Sequence, residues 1–248
     1  MQRIMVVTGG SRGIGAATAL LAAQRGYSVC VNYHSNQPAA EKVVADIVNN
    51  GGKAIAVAAD VSSEDDVIRL FKTVDSKLGR LDALVNNAGI LEQQTRLENL
   101  DAARLNRIFA TNVTGSFLCA REAVLRMSTK RDGRGGAIVN VSSAASRLGS
   151  PGEYVDYAAS KGAIDTMTLG LAKEVAEEGI RVNAVRPGII YTDMHASGGE
   201  PNRVERVKSS VPMKRGGHPR EVALAILWLL SPESSFTTGA IVDIAGGR

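Results

Sequence analysis

The sequence predicts an α/β fold: a doubly wound, mainly parallel seven-stranded sheet with helices on both faces. Three observations predict it. Strand and helix signals alternate along all 248 residues, which is the pattern of successive βα units. The strand segments are short apolar runs, as expected of strands covered on both sides. The first of them runs into a glycine-rich turn that opens a helix.

The elements follow in order. Residues 4–8 read as the first strand and 14–25 as an Ala/Leu-rich helix. Residues 28–32 form a second strand, and a helix opens near Pro38 and ends near Asn49-Asn50-Gly51, with proline and glycine as its punctuation. Residues 54–58 are a third strand, and Ser63 caps the next helix with Asp66 three residues on. A fourth strand lies at 83–85, and one long helical region is expected from about 101 to 127. Strand five is 137–141, and a helix is expected from about 155 to 178. Strand six is 180–185 and ends at Pro187-Gly188. A polar, glycine-rich segment follows at about 192–217, then a helix at 219–230 and a last strand at 240–244. No repeat or interdomain linker interrupts this order. One domain over 1–248 is expected, with 192–217 as a substrate lid and Gly198-Gly199 and Gly216-Gly217 as its hinges.

Composition excludes several classes. The apolar share is 44% and the charged share 22%, ordinary for a globular chain. The net charge is +4 and the basic residues are scattered, so neither nucleic acid nor a membrane surface is indicated. His34, His195 and His218 lie far apart, without metal-ligand spacing, so no metal is expected. Cys30 and Cys119 are isolated in apolar segments and read as buried free thiols of a reducing, cytoplasmic compartment. The N-terminus shows no signal-peptide pattern, and the longest apolar run, near 223–230, is too short to span a bilayer.

The turn Thr8-Gly9-Gly10-Ser11-Arg12-Gly13-Ile14-Gly15 must bend sharply and let a pyrophosphate approach the backbone. The helix behind it offers free N–H groups and a partial positive charge to phosphates. The spacing is wider than G-x-G-x-x-G, and no Gly-Lys-Ser/Thr follows. A Rossmann-type dinucleotide site is therefore expected. An NAD site usually places a carboxylate at the end of the second strand. Here that place reads Asn32-Tyr33-His34-Ser35, and Arg12 stands in the turn, where it can meet a 2′-phosphate. NADP(H) is favoured; NAD(H) remains open.

Tyr157 and Lys161 are four residues apart in a helical stretch, so both leave one face. An ammonium about 4 Å from a phenol, at an effective dielectric of about 20, favours phenolate by roughly 4 kcal/mol. That brings the tyrosine toward working pH, where a general acid/base acts best.

Taken together, these motifs resemble the short-chain dehydrogenase/reductase family in its single-domain form, across essentially the whole chain. The glycine turn, Asp60-Val61, Asn86-Asn87-Ala88-Gly89, Asn112, Ser142-Ser143, Tyr157-x-x-x-Lys161 and Pro187-Gly188-x-x-x-Thr192 carry the likeness in order. The nearest look is to glucose-dehydrogenase-like and 3-oxoacyl-carrier-protein-reductase-like members. The resemblance implies that Tyr157 moves the proton, Lys161 lowers the phenol's pKa and binds the nicotinamide ribose, and Ser143 steadies the oxyanion. It further implies that Asn112 holds a relay water. Ser143 lies fourteen residues before Tyr157, one more than many relatives have, which leaves Ser142 as its rival. The turn residues Gly9, Ser11, Arg12, Gly13, Ile14 and Gly15 would hold the phosphates. Asn32, Tyr33 and His34 would meet the 2′-position, Asp60 and Val61 the adenine, and Asn87, Ala88 and Gly89 the adenosine ribose. Pro187, Gly188, Ile190 and Thr192 would shape and contact the nicotinamide end. Glu153 and Tyr154 would line the pocket mouth. The basic residues of the lid (His195, Arg203, Arg206, Lys208, Lys214 and Arg215) would suit a polar or acidic substrate. A small carbonyl compound or secondary alcohol is the implied substrate class, and a homotetramer the implied assembly. The rival function is a dinucleotide-sensing regulatory module without turnover.

Overall fold

The first strand shows how the fold is built. Along β1 (Arg3–Val7) successive side chains leave opposite faces. Ile4 and Val6 enter one apolar layer, and Met5 and Val7 enter the other. The same split recurs in β2 (Tyr27–Tyr33), where Cys30 faces one side and Val29 and Val31 the other. Such strands need cover on both sides, and the helices supply it.

The computed structural model describes residues 3–248. After β1 come α1 (Gly13–Gln24), β2, α2 (Gln37–Asn49), β3 (Lys53–Ala58), α3 (Glu64–Lys77) and β4 (Ala83–Asn86). The second half runs α4 (Ala102–Phe109), α5 (Gly115–Met127), β5 (Gly136–Val141), α6 (Ala145–Leu148), α7 (Val155–Glu174) and β6 (Ile180–Pro187). It closes with α8 (Met194–Ser197), α9 (Arg203–Val207), α10 (Pro219–Leu230) and β7 (Ile241–Ile244). The seven strands form one sheet in the order β3-β2-β1-β4-β5-β6-β7, and every pair is parallel. One face is covered by α3, α5 and α7 through Leu70, Phe71, Ala123 and Ile164. The other is covered by α1, α2 and α10 through Ala19, Val43, Ile226 and Leu230. The chain reverses its winding between β1 and β4, so a crevice opens beyond their carboxyl ends.

Two helices differ from expectation. The helical region from 101 to 127 is not one α-helix: Ala110–Thr114 is a π turn joining α4 to α5. Thr111, Val113 and Thr114 are β-branched, and the extra residue displaces Asn112 inward, where it is fully buried. The helix of 155–178 stops as α-helix at Glu174, and a 3₁₀ turn, Ala176–Glu178, leads to Gly179 at φ +73°. The segment at 192–217, expected to act as a lid, holds two short helices, α8 and α9. Among the described residues no helix is long and apolar enough to cross a membrane.

Candidate active site

The end of β1 and the end of β4 are stitched together by one hydroxyl. Thr8 Oγ1 accepts from the N–H of Asn87 and of Ala88, each at 3.0 Å, and donates to the Val85 carbonyl at 3.3 Å. The Asn87 amide returns to the glycine turn, donating to the carbonyls of Thr8 at 2.9 Å and Gly9 at 3.0 Å. Gly15 is required here, because a Cβ at that position would stand 2.4 Å from the Gly9 oxygen. Gly13 has φ +54° and packs on Thr192, whose Cγ2 would lie 3.2 Å from a Cβ. Ser11 is half-buried and Arg12 exposed at the crest of the turn.

Asn32 corrects an expectation. It is buried, its Oδ1 accepts from the Gly9 N–H at 3.2 Å, and its Nδ2 donates to the carbonyls of Tyr33, Val57 and Ala59. Its amide braces the turn from behind, so it has no polar atom left for a ligand. Tyr33 is half-buried beside it, and His34 is exposed with Nδ1 3.8 Å from Asp60 Oδ2. Asp60 Oδ1 accepts from the N–H and the hydroxyl of Ser62, and Val61 is buried.

Toward β5 and β6 the crevice deepens into a cavity of about 500 Å³. Ser143, Tyr157, Lys161, Pro187, Gly188, Ile190 and Thr192 line it, with Ile14 and Asn87 from the turn side. The other nucleotide-site candidates, Gly9, Ser11, Arg12, Gly13, Gly15, Tyr33, His34, Asp60, Val61, Ala88 and Gly89, do not line it. They belong to the β1–β4 end of the crevice. Gly89 links the two parts: a Cβ there would be 3.5 Å from Lys161 Nζ and 3.4 Å from Asn112 Oδ1.

The two serines after β5 have different surroundings. Ser142 is buried and donates to the Lys161 carbonyl at 3.2 Å. Ser143 lines the cavity with Tyr157 and draws the phenol's pKa down, and its hydroxyl accepts from the Ala145 N–H at 3.1 Å. Of the two, Ser143 is the serine whose side chain acts on the phenol.

The acidity of Tyr157 runs against expectation. Burial pushes the phenol up from 10.0 to about 12, and the Ser143 hydrogen bond only partly offsets this. Lys161 does not reverse it. Its Nζ donates to the Val141 carbonyl at 2.8 Å and stands 5.6 Å from the tyrosine ring centre. Burial also pulls the lysine down from 10.5 to about 8, with Asp165 opposing. In this low-dielectric pocket desolvation outweighs the charge pairing that the spacing suggests.

Asn112 is engaged on all sides as well. Its Oδ1 accepts from the Ile90 N–H at 2.8 Å, and its Nδ2 donates to the Ile90 carbonyl and to Ser160 Oγ, each at 3.1 Å.

The lid is not an open basic surface. Glu153 pairs with Arg203 and, at 2.9 Å, with Arg206. Glu200 pairs with both arginines as well. Lys208 pairs with Glu205 and Arg215 with Glu221, while Lys214 donates to the Ser209 carbonyl at 2.8 Å. His195 holds its Nε2 2.9 Å from the Ile190 oxygen. The cations expected to draw an acidic substrate are already engaged within the chain. Gly216 and Gly217 are close-packing positions, because a Cβ would stand 2.5 Å from Val204 and 2.7 Å from Ile190 respectively.

Leu91, Leu148 and Met194 also line the cavity, and nothing in the sequence pattern marked them. Glu153 and Tyr154 line it as expected. Arg104 and Asp156 were missed too; a cation on an amphipathic helix reads as a solvent-facing residue until the fold buries it.

A family model described as enoyl-(acyl carrier protein) reductase matches residues 9–248. The chain is 64% identical over 245 residues to the uncharacterized oxidoreductase YgfF of Escherichia coli (strain K12), covering 99% of each. It is 42% identical over 246 residues to a 3-oxoacyl-acyl-carrier-protein reductase of Synechocystis, covering 99% of this chain and 96% of that one. A solved dehydrogenase/reductase from Sinorhizobium meliloti 1021 superposes with a TM-score of 0.91 at 33% identity, over 99% of this chain and 94% of that one. The parallel sheet, the glycine turn at its switch point and similarity over the full length lead to one assignment: the chain is an oxidoreductase of the short-chain dehydrogenase/reductase family.

Proposed function

We propose that the protein transfers a hydride between a nicotinamide dinucleotide, NADP(H) in preference to NAD(H), and a small carbonyl compound or secondary alcohol. One observation carries this reading: Ser143, Tyr157 and the buried Lys161 line the wall of one cavity.

The residues fit a dinucleotide. The first turn of α1 has no acidic side chain, and no side chain caps its N-terminus. Its positive end is therefore left to an anion. Residues 9–15 would hold the pyrophosphate, Asp60 and Val61 the adenine, and Asn87, Ala88 and Gly89 the adenosine ribose. Lys161, Pro187, Gly188, Ile190 and Thr192 would hold the nicotinamide end. When bound there, the nicotinamide supplies or accepts the hydride.

The protein's own residues handle the proton. With its pKa near 12, Tyr157 is protonated at neutral pH and donates to a carbonyl oxygen as negative charge develops there. This form suits carbonyl reduction, the direction we favour. Ser143 donates to the same oxygen, a preorganised contact that strengthens in the transition state. Lys161, with a pKa near 8, is still largely a cation at neutral pH and stabilises the phenolate that remains. Apolar Leu91, Leu148 and Met194 in the cavity wall and the name of the Synechocystis relative support a 3-oxoacyl-type carbonyl. NADP(H) preference rests on the lack of a carboxylate at residues 32–35. It rests also on Arg12, which is exposed and has no carboxylate partner among the described residues. Exposed Phe117, Leu125 and Leu169 on α5 and α7 support a homotetramer, which light scattering checks.

A panel of ethyl acetoacetate, an aromatic ketone and, in the oxidative direction, D-glucose, each with NADPH/NADP or NADH/NAD, tests the substrate class. Tyr157→Phe should lower turnover at least about 100-fold while leaving NADPH binding, followed by fluorescence, unchanged. Unchanged turnover would eliminate Tyr157 as the proton donor, and dinucleotide binding with no turnover on any member of the panel would return the chain to a sensing role. Tighter binding of NADH than of NADPH would overturn the Arg12 argument alone.

A further inference from the structure

We infer that Arg104 and Asp156 form a positioning pair for Tyr157, a role that rests on the function proposed for that tyrosine. The pair is buried, with the Arg104 side chain 10% and the Asp156 side chain 1% exposed. Arg104 Nε donates to Asp156 Oδ2 at 2.7 Å, and its Nη1 donates to the Gln93 carbonyl at 2.7 Å. The second carboxylate oxygen, Asp156 Oδ1, accepts from the Tyr157 N–H at 2.9 Å. The N-cap residue of α7, Tyr154, makes no side-chain cap bond. Asp156 therefore takes over the capping role at the first turn of this helix, directly on the residue that carries the phenol.

The peptide groups of Tyr157 are held on both sides by the same region. Its N–H is reached from α4 through Arg104 and Asp156. Its carbonyl accepts from Ser160 Oγ at 2.7 Å, and Ser160 Oγ in turn accepts from Asn112 of the π turn at 3.1 Å. Arg104 is itself fixed, since its own N–H donates to Asp101 at 2.7 Å. A helix, the π turn behind it and the segment at 90–93 thus converge on one residue. The phenol must meet both Ser143 and a substrate oxygen within hydrogen-bond reach, and small displacements matter there.

Stability does not account for the pair. Arg104 Nη2 is buried without a hydrogen-bond partner, a cost that well-packed apolar residues would not carry. Breaking a buried pair destabilises, whereas replacing both members by apolar residues of similar volume is often neutral. That contrast separates the two roles.

The test compares Arg104→Met, Asp156→Leu and the double variant, using NADPH and the carbonyl of the panel above that the unaltered protein reduces fastest. Each single change should lower both Tm and kcat. The double variant should regain the original Tm while its kcat stays down by about 100-fold, with KM and NADPH affinity unchanged. Recovery of kcat together with Tm in the double variant would reduce the pair to a structural role and overturn the inference. Tyr157→Phe in the same assay separates the two failures. If it abolishes turnover while the double variant keeps full kcat, only the positioning role falls; if Tyr157→Phe is fully active, the role proposed for Tyr157 itself falls.

Discussion

At residues 8–15 the chain is fixed by neutral, part-buried hydrogen bonds between side chains and backbone groups, whereas at 194–206 it is fixed by charged side chains partly open to water. Thr8, Asn32 and Asn87 bind the glycine turn through carbonyls and N–H groups. Glu153, Glu200, Arg203 and Arg206 bind the lid to the loop before α7. The first network is screened from salt and is hard to break, because each lost partner strands a buried polar group. The second is worth little per pair and responds to ionic strength and pH. One wall of the crevice is thereby rigid and the other adjustable. That division suits a constant nucleotide and a variable substrate.

The largest break in this contrast is expected at Gly15. Gly15→Ala drives a Cβ to 2.4 Å from the Gly9 oxygen and 2.6 Å from the Asn87 amide. The backbone must shift, at about 1–3 kcal/mol, and the stabilisation of the fold by NADPH, read as a thermal shift, should vanish. Asn32→Ala comes next. It removes the acceptor of the Gly9 N–H and the donor to three carbonyls. A loss of about 1–3 kcal/mol is expected by urea denaturation, together with weaker NADPH binding; full affinity in this variant would show that the brace is dispensable.

Changes on the lid should be smaller and of another kind. Glu153→Gln keeps the shape and removes the charge that faces Arg203 and Arg206. At about 0.2–1 kcal/mol it should raise KM for the carbonyl a few-fold and leave NADPH affinity untouched. Lower NADPH affinity would mean that the two walls are coupled. Acid sharpens the same point. The arginines hold Glu200 down, from 4.5 to about 2, with Arg206 the larger influence, and they lower Glu153 as well. A carboxylate lowered in the folded state stabilises above its ordinary pKa and loses that effect as pH falls through the folded value. Proteolysis within the lid should therefore increase between about pH 4.5 and 2. A lid equally protected across that window would contradict the ionic latch.

Much of this architecture was legible in the chain. The alternation Ile4-Met5-Val6-Val7 already requires two covered faces, and Tyr157 and Lys161 had to share a helix side. The sequence favoured Ser143 over Ser142 without settling the choice, because the two serines are adjacent. Only the fold turns one hydroxyl onto the Lys161 backbone and the other onto the phenol. The break at Ala110–Thr114 was hidden as well, since π and α turns share one apolar periodicity. The pairing of Arg104 and of the lid arginines was hidden, because the carboxylates that meet them lie up to 53 residues away along the chain.

By itself, then, the sequence determined the order of strands and helices, the place of the nucleotide turn and the set of polar side chains that could act. These follow from local rules of backbone geometry, side-chain period and glycine's missing Cβ. The tertiary structure decided which serine meets Tyr157, how acidic that phenol is and which charges are already paired. Those properties depend on burial and on partners distant in the chain, so no local pattern carries them.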